Sequence, residues 1–88
     1  MKIIIANHIN DRDKFPRFWK IPEALENAEI KPYETLAMVQ TQKGLKKVKV
    51  LKVIEHENNQ IYDWKVDKII TVEQEVVAFE APEDSILS

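Results

Sequence analysis

The sequence predicts a mainly β protein, a small, strongly bent antiparallel sheet or barrel of about five strands with one short helix. Three observations predict it. Two apolar runs, residues 36–41 and 45–54, flank a polar break, Gln42-Lys43-Gly44, as in a β-hairpin. The second run changes its apolar parity between Val50 and Val53, the mark of a β-bulge that bends a strand. Further short apolar runs, Ile3-Ile4-Ile5 and Val76-Val77-Ala78-Phe79, are strand-like in composition.

The elements follow in order. Residues 2–6 form the first strand, and the turn-formers Asn7, Asn10, Asp11 and Asp13 make a loop after it. Pro16 sits among Phe15, Phe18 and Trp19 and argues against a regular helix or central strand there. The three aromatics either plug one end of the sheet or form an exposed platform for a base or a peptide. Residues 21–28 make the short helix, with Pro22 at its first position and Glu23 near its positive end. Pro32 forces an extended or turning connection.

The hairpin comes next. Gly44 is the only glycine and is expected at positive φ in the turn. Val48, Val50 and Val53 should be inside, with Lys47, Lys49 and Lys52 in water. Residues 55–60 form a polar loop with Asn58-Asn59 at its tip, and strands follow over 65–72 and 76–79. The expected core is Ile4, Leu25, Leu36, Met38, Val48, Val50, Val53, Ile69 and Val77, with Trp19 and Trp64 at its edges.

With 88 residues there is one domain, 1–88, whose acidic tail 83–88 is expected to fray. The absence of cysteine excludes disulfides and thiolate metal sites. No signal peptide or membrane-length apolar run is visible, which predicts a cytoplasmic protein with no membrane partner. His8 and His56 match no zinc spacing, so no metal and no cofactor are expected. No nucleophile stands beside a histidine, and one glycine cannot build a phosphate loop, so no enzyme is expected.

Charge is uneven beneath a net of −2. Residues 43–68 carry seven lysines against four acids, and 69–88 carry five acids and no base. Lys43, Lys46, Lys47 and Lys49 cluster on the hairpin. Such a cluster either tracks a phosphate backbone or guards an exposed strand against aggregation. Arginine, the better reader of bases, is missing after Arg17, which argues against sequence-specific binding.

Trp19-Lys20-Ile21-Pro22, residues 38–44, Lys47-Val48-Lys49-Val50 with Val53, Lys65-Val66 and Lys68-Ile69-Ile70 resemble a small Gram-positive bacterial protein family of unassigned function, over about residues 17–72. The strand–turn–strand with a bulged second strand is also similar to SH3-like barrel modules of replication-restart helicases and ribosome-associated proteins. Those begin with Gly-Asp, where this chain has Tyr33-Glu34. The resemblance implies an SH3-like barrel and no particular activity. The expected function is a non-catalytic binding module that takes nucleic acid through Lys43, Lys46, Lys47 and Lys49. The alternative is a protein-interaction or self-assembling domain, with a protein partner or homo-oligomer held by Phe15, Phe18 and Trp19 or by an open sheet edge.

Overall fold

A computed structural model describes residues 1–9 and 16–80. Phe15 and the tail 83–88 lie outside the described residues. The strands are β1 (Lys2–His8), β2 (Arg17–Lys20), β3 (Leu36–Thr41), β4 (Gly44–Glu55), β5 (Gln60–Asp63), β6 (Lys68–Thr71) and β7 (Val76–Glu80). Five of them form one antiparallel sheet in the order β2-β1-β4-β3-β7, and β5 and β6 form a separate hairpin. The protein is mainly β, as expected. Among the described residues no helix is long and apolar enough to cross a membrane.

The sheet rolls upon itself without closing into a barrel. Its two edge strands come together through one parallel bridge, Lys20 to Glu75, with the Lys20 N–H donating to the Gln74 carbonyl at 3.1 Å. Two bulges produce the bend. Ile5 pairs with Lys52 and Ala6 with Val50, so Leu51 is the extra residue of β4. Met38 pairs with Ala78 and Val39 with Val76, so Val77 is the extra residue of β7. The sequence expectation for β4 holds: Val48 and Val50 are buried, Val53 is partly buried, and Lys47, Lys49 and Lys52 are exposed.

Register puts Ile4, Ala6, Trp19, Ala37, Val39, Val48, Val50 and Val76 on the concave face, where they form the main core. The space inside so tight a roll is small. Trp19, at 2 % exposure, sits in it among Ile4, Ile21, alanines and valines, with the partly buried Phe79 packed against them. The indole Nε1–H donates to the Gln40 carbonyl at 3.0 Å, so the buried ring keeps its hydrogen bond. The convex face carries a second core of Ile3, Ile61 and Val72 with Phe18 and Ile54, where the β5–β6 hairpin lies against β1, β2 and β4.

Several expectations are corrected. In β3 the buried residues are Ala37 and Val39, while Leu36 and Met38 are half-buried on the convex side, because the crowded interior favours the smaller pair. Val77 is 46 % exposed because it is the bulge residue, and Val76 takes its place inside. Ile69 is 70 % exposed because it pairs with Tyr62 on the outward side of β5–β6. The expected strand over 65–72 begins only at Lys68, since residues 64–67 turn the hairpin. The short helix is a single 3-10 turn, Glu23–Leu25. Asn59 is no loop tip: its side-chain amide donates to the Val72 carbonyl and its own carbonyl accepts from the Val72 N–H, tying the base of the hairpin.

Candidate nucleic-acid interface

The β3–β4 hairpin is built as its glycine requires. Thr41 pairs with Gly44 across Gln42 and Lys43, and Gly44 has φ 103°. Within this loop positive φ falls on Gly44 alone. The Thr41 hydroxyl donates to the Gly44 carbonyl at 2.7 Å and accepts from the Lys43 N–H at 3.2 Å. This fixes the turn and projects Lys43 from it.

Strand alternation sorts the other lysines. Lys46 pairs with Val39 and shares the concave parity of Val48 and Val50. Beyond the core it lines the same cleft as His8 and Arg17, which continue the concave parity of β1 and β2. This open cleft, of about 860 Å³, is also bordered by Lys43, Lys47 and, from β6, Ile70 and Thr71. The His8 ring stands edge-on to Trp19, with centroids 5.6 Å apart, so the core tryptophan forms part of the cleft floor.

Of the four lysines named from the sequence, Lys43, Lys46 and Lys47 reach this cleft. Lys47 is also held by Glu80, Nζ to Oε2 at 3.0 Å, across the convex side of β3. Both groups are well exposed, so this pair contributes little to stability. Lys49 is not among the residues that line the cleft; its Nζ lies 6.0 Å from the centroid of the Tyr33 ring. His8 and Arg17 also line the cleft, although the sequence raises His8 only as a metal ligand and Arg17 only as the last arginine of the chain. The signal for His8 was the alternation Ile4, Ala6, His8, hidden by the turn-former Asn7.

Phe18 and Trp19 do not form an exposed platform. Alternation along β2 sends Trp19 into the concave core and Phe18 to the convex one, where the Lys65 Nζ covers its ring at 5.3 Å. Among the described residues the exposed aromatics are Tyr33, Tyr62 and Trp64, at 65, 55 and 73 %. Tyr33 adopts φ 69° within a turn closed by Lys31 and Thr35, whose backbone N–H groups bond respectively to the Thr35 hydroxyl and the Lys31 carbonyl. Tyr62 donates its hydroxyl to Asp67, and this bond raises its pKa above the ordinary 10.0.

Among the described residues the cleft lining carries the Arg17 guanidinium, itself engaged in an interaction, the ammonium groups of Lys43, Lys46 and Lys47 and the His8 imidazole, beside the Glu73 carboxylate. Among the described residues no three His, Asp or Glu side chains gather to hold a metal ion. No known protein family, curated protein or solved structure matches the chain.

Proposed function

We propose that this protein is a non-catalytic binding module that holds nucleic acid, with low sequence specificity, in the cleft at the open end of the rolled sheet. One observation carries the reading: Lys43, Lys46 and Lys47 of the β3–β4 hairpin line one cleft together with His8 of β1 and Arg17 of β2, although they lie far apart in sequence. Lysines that merely guarded an edge strand would not need this convergence, and β4 is a central strand of the sheet. Lysine acts as a point charge on phosphate and reads no base, so specificity should be low.

The double variant Lys43→Glu/Lys46→Glu tests the reading by fluorescence anisotropy with a labelled oligonucleotide at low ionic strength. Reversing two cleft charges should weaken binding at least tenfold, while Lys49→Glu, off the cleft, leaves it within about twofold. An unchanged affinity in the double variant would remove the reading.

A further inference from the structure

We infer that the bound nucleic acid is single-stranded, and that Trp64 is the platform on which an unpaired base stacks; this rests on the nucleic-acid reading of the cleft. Beside the cleft a second hollow reaches the residues on either side of Trp64, which does not itself line it. This hollow, of about 500 Å³, shares Arg17, Phe18, Trp19, Ile70 and Gln74 with the first and runs on to Lys65 and Val66, at the tip of the β5–β6 hairpin. Trp64 stands in that same tip, 73 % exposed. Asp63 and Lys65, the chain neighbours of Trp64, both line this hollow, so a strand held at Lys43 and Lys46 and laid along it comes to the hairpin tip.

The tip is held firmly for a loop. The Asp63 carboxylate accepts from the Lys65 N–H at 3.0 Å, and the Asp63 carbonyl accepts from the Val66 N–H at 3.2 Å. Asp67 closes the loop at φ 53° and is tied to Tyr62, and the Lys65 ammonium donates to the Pro16 carbonyl beneath. Trp64 is thus presented on a fixed backbone, and little loop entropy is lost when a ring settles on it. A duplex keeps its base faces inside the stack and can offer this indole only its edges. A single strand offers them freely, and base–aromatic stacking tolerates every sequence.

The test compares a single strand of about 12 nucleotides, within the usual reach of such modules, with the duplex of the same sequence, by anisotropy at low salt. The parent should hold the single strand about tenfold more tightly than the duplex. Trp64→Ala should lower single-strand affinity by about tenfold and leave duplex affinity unchanged, and Trp64→Phe should restore most of the loss. Oligonucleotide should also shield the exposed tryptophan of the parent from acrylamide quenching, a readout that requires no variant to fold. Equal affinity for both forms, or a Trp64→Ala variant that binds the single strand like the parent, would overturn the inference. If binding still collapsed in Lys43→Glu/Lys46→Glu, the cleft reading would stand without it. A parent that bound neither form would remove both, and loss of self-association in Trp64→Ala without any strand preference would assign the tip to a protein contact instead.

Discussion

Gly44 and Tyr33 both adopt positive φ, but only one of them needs glycine's freedom. At φ 103° Gly44 lies beyond the narrow left-handed well open to other residues, whereas Tyr33 at 69° lies near it. Nothing stands within 4 Å of a Cβ added to Gly44, so the cost of Gly44→Ala is backbone strain alone. We expect about 1 kcal/mol, seen as a fall in Tm of about 4–8 °C. At Trp19, replacement by alanine should cost about 3–5 kcal/mol, because the ring fills the roll and its N–H is already paired. Tyr62 gives a pH test. Its folded pKa is raised by the bond to Asp67, so the support this bond lends the hairpin is complete below the ordinary value of 10.0. It is lost as pH climbs through the raised value. In Asp67→Ala, ultraviolet titration should show that tyrosine ionising at lower pH than in the parent.

Among the elements, β4 organises the sheet through its bulge. With Leu51 as the extra residue, Val53 faces the concave core beside Ile4 while Lys52 faces water. An unbulged strand would exchange them. Urea denaturation separates the two cases. Val53→Lys should destabilise the fold by about 2 kcal/mol or more, since a charge would enter the core face. Lys52→Glu should stay within about 0.5 kcal/mol. The hairpin turn and this bulge were legible in the sequence because each is a local signal: a lone glycine in one case, a slip in alternation in the other. Strand β3 was not legible, because Leu36-Ala37-Met38-Val39 is apolar on both parities and alternation then says nothing. Side-chain volume inside the roll made the choice. In β7 the bulge at Val77 lacked the flanking lysines that exposed the one in β4.

For the molecule as a whole, the roll turns a modest net charge into a local one. Its open end gathers Arg17, Lys43, Lys46 and Lys47, while Glu80 and Glu73 stand beside them and moderate the field. The lysine cluster could be read from the sequence, but its meeting with Arg17 could not, since it depends on which strands pair and how far the sheet curls. The central claim is that these cations neutralise phosphates. It is tested most directly by the salt dependence of oligonucleotide binding. With three or four phosphates neutralised, log K should fall against log salt with a slope of about −2 to −3 for a single strand. Lys43→Glu/Lys46→Glu should flatten that slope. An affinity that does not change with salt, or no binding at low ionic strength, would contradict the account.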